Sequence, residues 1–435
     1  MSATATPTAP IPTAPAVESH SPAVLPAVLS VSLTEWPAPP QTRRVWEVDS
    51  AGIENLRLRR RPLPEPGPDE ALVRIDAVGL CASDVKIINQ GPRHVRLAGR
   101  DLKADPVVLG HEVSLTVIRP GRRRSERYPV GSRWVVEPNV RVGGRDASYG
   151  FALDGGYQDY QVLPSAVLDG HLLPVPAGVG HAQAAVTEPW GCVYFSYTTH
   201  RPNRGVKLGG TTWLAGSGPV GLMHLEKALA DGASRVIVTE RNSARLEAAG
   251  RRFAPIAARR GAELLLIDLN RTPLESVAAL GPGSADDIVI LAPDPTLVPA
   301  ALTRLARGGV LNIFAGFPER EKAVMPVDFY DLHYRNATVI STSGTSADAM
   351  RAALADSAAG RIEPFRSVAA VGGLAALADG VAATAAGRLT GRVVIYPQID
   401  LPLTPVEELS PDGIWSAEAE RRLLADATPG EMGRG

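Results

Sequence analysis

The sequence predicts an α/β protein in which a β-rich module precedes a doubly wound parallel sheet. Two observations carry this. From Thr42 the chain runs as short Val- and Ile-rich stretches broken by Gly and Pro, the texture of antiparallel β structure. Near Lys207 it changes to alternating strand-like and helix-like stretches, opened by a glycine-rich turn, the pattern of a parallel sheet.

In order, residues 1–41 are rich in Ala, Pro, Ser and Thr and have little to bury. They read as a disordered extension without the basic leader and apolar run of a secretory signal. Strand-like runs follow at EALVRIDAVGL (70–80), VVLGHEVSLTVI (107–118), RWVVEP (133–138) and YQDYQVL (157–163). The unit TTWLAGSGPVGLMHLEKALADGASRVIVTE (211–240) reads as strand, tight turn, helix, strand. Leu222, Leu225 and Leu229 fall on one helical face, and Asp231-Gly232 ends the helix. Further strands are expected at DDIVILA (286–292), GVLNIFAG (309–316) and ATVISTSG (337–344). A helix at 350–360, a closing strand at 391–397 and a tail over 401–435 with a short charged helix complete the chain. The β-rich module is expected to take 42–204 and 345–400, and the dinucleotide module 205–344.

The 435 residues suggest two or three domains. With 45 basic against 46 acidic residues, global charge gives no reason to expect nucleic-acid or membrane-surface binding. No apolar run reaches the ~18–20 residues that cross a bilayer. Cys81 and Cys192 are the only cysteines. Two cannot form a disulfide framework, and a reduced, cytoplasmic setting fits.

Gly216, Gly218 and Gly221 form G-x-G-x-x-G around Ser217, Pro219 and Val220. The first glycine permits the turn, the second admits a pyrophosphate, and the third packs helix on strand. Glu240 ends the next strand 24 residues after Gly216, where an acid meets ribose hydroxyls. Its charge favours NAD, while Arg241 and Arg245 could receive the extra phosphate of NADP.

Cys81 precedes Ser83 and Asp84; thirty residues on come Gly110-His111-Glu112, and later Glu188-Pro189. Thiolate, imidazole and carboxylate are the ligand types of a catalytic zinc with one open position. In this order and spacing, C-x-S-D, G-H-E, E-P and G-x-G-x-x-G resemble the medium-chain dehydrogenase/reductase family over roughly residues 42–400. The likeness is to its zinc-dependent polyol and sugar dehydrogenases, especially sorbose-1-phosphate reductase-like and cyclitol dehydrogenases. The resemblance implies a partly open, barrel-like GroES-like catalytic domain with a Rossmann domain inserted, and an NAD(P)-linked hydride transfer to or from a polyol, cyclitol or sugar phosphate.

It also implies roles for residues. Cys81 and His111 are implied zinc ligands; Glu112 is a ligand or lies just behind one, and Glu188 ligates directly or through water. Asp84 is implied to fix the His111 tautomer, Ser83 to handle the substrate proton, and Lys86 to end the relay. Arg392 is implied to face the cofactor pyrophosphate. Relatives usually form dimers or tetramers, so a homo-oligomer is expected.

Two departures from the family stand out. The region 137–156 has none of the four cysteines that hold a structural zinc in many relatives, so one catalytic zinc per chain is expected, with Cys192 as a buried packing residue. The segment between Cys81 and His111 is long and carries Lys86, Arg93, His94, Arg96, Arg100 and Lys103. Clustered arginines suit a substrate phosphate or carboxylate, and equally a solvated loop. The alternatives are a zinc-free reductase of the same superfamily and a non-catalytic nucleotide-binding protein.

Overall fold

The computed structural model describes residues 39–427, except 98, 199–204 and 318–320. The extension expected over residues 1–41 lies outside the described residues as far as position 38, and Thr42 opens the first strand. That strand, Thr42–Val48, pairs antiparallel with Leu56–Pro62.

The β-rich module is built on the strand Ala71–Gly79. It pairs antiparallel with Glu112–Pro120 on one side and with Tyr160–Leu163 and Arg392–Tyr396 along the other. Arg133–Val136 and Leu172–Pro174 extend the sheet beyond Glu112–Pro120. Beyond Arg392–Tyr396 lie the parallel strand Val368–Gly373 and the short edge Thr404–Pro405. Residues past 368 thus return to a sheet begun at Ala71. The strand Val368–Gly373 was not among the expected ones; its sequence VAAVGG has too little bulk to stand out from the helical stretches around it.

The second sheet has six parallel strands. Across it run Glu263–Asp268, Arg235–Glu240, Thr211–Ala215, Ala285–Ile290, Leu305–Ile313 and Thr338–Ser341. Chain order reverses beside Thr211–Ala215, so the crevice at its carboxyl end is where a doubly wound sheet takes a ligand. The expected fold class, a β-rich barrel-like domain with a Rossmann sheet, is what the chain adopts. The strand Glu263–Asp268 (ELLLID) also escaped the sequence reading, because it follows directly on the 17-residue helix Ser243–Arg259.

The two sheets share a core. Val73, Ile75 and Val78 point into the β-rich core, while Ala77 of the same strand joins a second cluster with Trp190, Leu222, Val371 and Tyr396. The residues expected as a tail also belong to this second core. Trp415 is buried, and the helix Ala417–Asp426 packs Glu420 inward. Glu420 accepts hydrogen bonds from the His181 amide (2.8 Å), the Ala182 amide (2.7 Å) and the Tyr396 hydroxyl (2.7 Å). It thereby caps the free N–H groups of the helix His181–Ala185. The short charged helix was expected, but not its inward acid, because in the run AEAERR that acid looks like its outward ones.

Candidate metal centre and cofactor cleft

Strand register assembles the metal centre. Gly79 lies opposite Glu112 in the ladder, so Cys81 leaves the end of one strand beside His111, which enters the next. A Cβ on Gly79 would overlap the Glu112 carboxylate, so only glycine fits there. Gly110, at φ 96°, adopts the left-handed backbone region that turns His111 inward.

Cys81 caps the helix Ala82–Gln90, whose buried face carries Asp84, Ile87 and Ile88. Asp84 Oδ2 accepts from the Cys81 amide (3.2 Å) and from the Tyr157 hydroxyl (2.7 Å). Its Oδ1 lies 3.3 Å from His111 Nδ1. Asp84 thus stands beside the imidazole, and neither Oδ1 nor Nδ1 has a hydrogen-bond partner among the described residues. The Phe151 ring packs on the imidazole at 4.8 Å between centroids. Burial alone would lower the His111 pKa, but Asp84 and Cys81 together hold it well above the usual value.

Cys81 Sγ, a His111 ring nitrogen and a Glu112 carboxylate oxygen all lie within 4.8 Å of one another. Glu112 is fully buried; Oε2 pairs with the Arg392 guanidinium, and Oε1 has no hydrogen-bond partner among the described residues. A buried carboxylate oxygen without a donor is costly unless a cation satisfies it. Donor types, spacing and this orphaned oxygen fit a zinc ion with three protein ligands and an open position.

Two expected placements need correction, those of Arg392 and Cys192, and the structure adds the surroundings of Glu188 and Lys86. Arg392, expected at the cofactor pyrophosphate, is buried against Glu112 and also reaches the Leu80 carbonyl (3.4 Å). Strand pairing of 392–396 with 71–79 brings it there. Glu188 lies outside the three-ligand cluster; it stands on the same cavity wall and accepts a hydrogen bond from the Cys192 thiol (3.4 Å). Burial and the nearby Glu112 raise its pKa, against the pull of His111 and Arg392. Cys192 is no packing residue. One helical turn after Glu188, it lines the cavity half-buried. Lys86 is exposed on the outer face of its helix and does not line the cavity, whereas Ser83 does.

The cavity, of about 230 Å³, is walled on one side by Cys81, His111, Glu112 and Glu188 and on the other by Val220 and Phe314. Val220 begins the glycine-turn helix Pro219–Ala230, so the metal centre and the dinucleotide turn open onto one space. Gly216 sits at φ 125°, and a Cβ on Gly221 would meet the Gly216 carbonyl at 2.5 Å. At Gly218, the helix N-cap, a Cβ would meet only Arg245, at 3.9 Å, which leaves its backbone accessible to a phosphate.

Glu240 lines a second cavity with Gly216, Thr239, Arg241 and Asp294. Its Oε2 accepts from the Ser217 amide (2.9 Å) and hydroxyl (3.1 Å); Oε1 accepts from the Arg241 (2.8 Å) and Asn242 (3.0 Å) amides. Burial would raise its pKa, but these backbone donors keep it below the usual value. Arg241 pairs with Asp294 (3.3 Å) on the wall of the same cavity.

Sequence reasoning missed Tyr157, Phe151 and Asn139. Asn139 lines the cavity and its side-chain amide binds both Glu137 (2.5 Å) and the Thr345 carbonyl (3.0 Å). Its place directly after Glu137-Pro138 was the one available signal.

A cation-ready S, N, O cluster facing a Rossmann glycine turn defines a nicotinamide-linked metal dehydrogenase. Comparison with known proteins agrees. Residues 67–177 match the alcohol dehydrogenase GroES-like domain, and 219–359 match the zinc-binding dehydrogenase model. The L-sorbose 1-phosphate reductase of Klebsiella pneumoniae is 30% identical over 86% of this chain and 96% of its own. The mannitol-1-phosphate 5-dehydrogenase of Aliivibrio fischeri is 30% identical, again over 86% of this chain and 96% of its own. The crystal structure of 2R,3R-butanediol dehydrogenase from Bacillus subtilis shares the fold, with a TM-score of 0.66 and 20% identity over 82% of this chain and 99% of that one. The chain belongs to the zinc-binding dehydrogenases and is a nicotinamide-dependent enzyme of their alcohol and polyol branch.

Proposed function

We propose that this enzyme moves hydride between a nicotinamide cofactor and the secondary alcohol or ketone of a polyol, cyclitol or sugar phosphate. The observation that carries this is the Cys81–His111–Glu112 cluster, on the same cavity as the N-terminus of the glycine-turn helix. The sugar-phosphate names of the relatives support the substrate class.

Cys81, His111 and Glu112 would hold one zinc ion per chain, whose contribution when bound is Lewis acidity toward the substrate oxygen. Asp84 keeps the imidazole oriented. Ser83, on the cavity wall, takes the hydroxyl proton into a hydrogen-bonded chain. Arg392 balances the Glu112 carboxylate, so the centre does not bury two unpaired acids. Phe151 and Phe314 keep water from the reacting carbons. The Gly216–Gly221 backbone receives the cofactor pyrophosphate and Glu240 the ribose, which favours NAD while leaving NADP open. In this reading 42–204 and 345–400 form the catalytic module and 205–344 the cofactor module, acting as a cytoplasmic homo-oligomer.

The test couples metal to turnover. Purified enzyme should contain about one zinc per chain and reduce NAD(P) on a polyol and sugar-phosphate panel. Cys81→Ser should lose both the zinc and at least about a hundredfold in kcat/KM. Full activity in metal-free protein would overturn the zinc reading in favour of a zinc-free reductase.

A further inference from the structure

Five lysines and arginines stand between Cys81 and His111, and the structure separates them. Lys86 and Arg93 face solvent away from the cavity. Lys103 pairs with Asp49 (3.3 Å). Arg100 is spent on the fold: it bonds the Asp105 carboxylate and carbonyl, the Pro106 carbonyl and the Phe151 carbonyl. Arg96 alone lines the catalytic cavity.

Its guanidinium lies over the Phe151 ring, 4.4 Å from the centroid, and Phe151 in turn packs on His111. The Phe151 ring thus touches both this cation and the imidazole of the metal cluster. Among the described residues it forms no ion pair. Asp146 feels its charge, but Asp146 Oδ1 is committed to the Ser148 amide and hydroxyl. The other guanidinium on this wall, Arg392, is neutralised by Glu112. A planar fork of donors stacked at the mouth of a cavity is suited to two oxygens of one anion.

We propose that Arg96 selects the substrate by binding a phosphate monoester on it, within one sugar phosphate's length of the reacting carbinol. This rests on the dehydrogenase reading and narrows it to phosphorylated polyols and ketoses.

The experiment compares L-sorbose 1-phosphate with L-sorbose on the zinc-loaded enzyme with cofactor. Turnover and calorimetric binding are read in parallel for wild type, Arg96→Gln and Arg96→Lys. The wild type is expected to prefer the ester. Arg96→Gln should cut that preference, as a ratio of kcat/KM values and of affinities, by about ten- to a hundredfold. Arg96→Lys should recover part of it, because a point charge replaces the fork. An unchanged ratio in Arg96→Gln overturns the proposal, as does a wild type that binds ester and neutral sugar alike. Arg96-dependent binding of D-gluconate that exceeds that of the ester also overturns it, in favour of a carboxylate. The two readings fail separately. Arg96-dependent ester binding without turnover keeps the anion site and rejects hydride transfer, whereas turnover without preference does the reverse.

Discussion

His224 shows how one residue ties the cofactor module to pH. It sits fully buried on the glycine-turn helix, with the Tyr197 hydroxyl 2.9 Å from Nδ1 and Phe314 packed against its ring. Burial, with Lys227 nearby, pushes its pKa down to about 3. The folded state therefore refuses a proton that the unfolded state accepts below about pH 6.5. Stability from this group is complete above pH 6.5 and falls as pH drops toward 3. Between pH 7.5 and 5 the loss should be about 2 kcal/mol. His224→Asn keeps an acceptor for Tyr197 and should remove this acid sensitivity, read as the pH dependence of the urea midpoint. Residue legibility divides along similar lines. Cys81, His111 and Glu112 were legible only through the family resemblance that their motifs carry. The Glu112–Arg392 pair was not, since it joins positions 280 residues apart that meet only through strand pairing.

At the scale of elements, short pieces are held by distant side chains. The helix His181–Ala185 has only five residues, too few to sustain itself. Its first amides are satisfied by Glu420, and the helix Thr187–Thr198 that carries Glu188 and Cys192 follows directly. Glu420→Ala leaves two amides and the Tyr396 hydroxyl without their acceptor. It should cost about 2–4 kcal/mol in chemical denaturation. Strongly patterned elements, such as Ala71–Gly79 and the glycine-turn unit, were legible from periodicity and turn chemistry. Elements fixed by tertiary contact, such as the sheet-edge strand Thr404–Pro405, were not, because a two-residue strand has no pattern of its own.

At the scale of the whole molecule, the β-rich and parallel sheets are one packing problem. Leu214, Leu222 and Val238 of the parallel sheet region share a core with Trp190, Val371, Val394 and Trp415. Residues 205–344 expressed alone should therefore expose a broad apolar face. The expected outcome is a loosely packed or aggregating fragment, seen as dye binding and loss of near-ultraviolet circular dichroism, while the full chain unfolds in one cooperative step. The change of texture near Lys207 marks where the topology changes, but apolar content cannot say which face of a helix meets which module.

The strand Ala71–Gly79 turns Val73, Ile75 and Val78 to one core and Ala77 to the other, and ends two residues before Cys81 of the candidate metal cluster. Anyone grafting a foreign nucleotide module onto this scaffold would thus be re-tuning the cysteine's anchorage through the bed on which Ala77 rests. If the proposed cofactor site is right, its preference is better re-engineered in place, at the cavity rim of Glu240 and Arg241, than by exchange of parts.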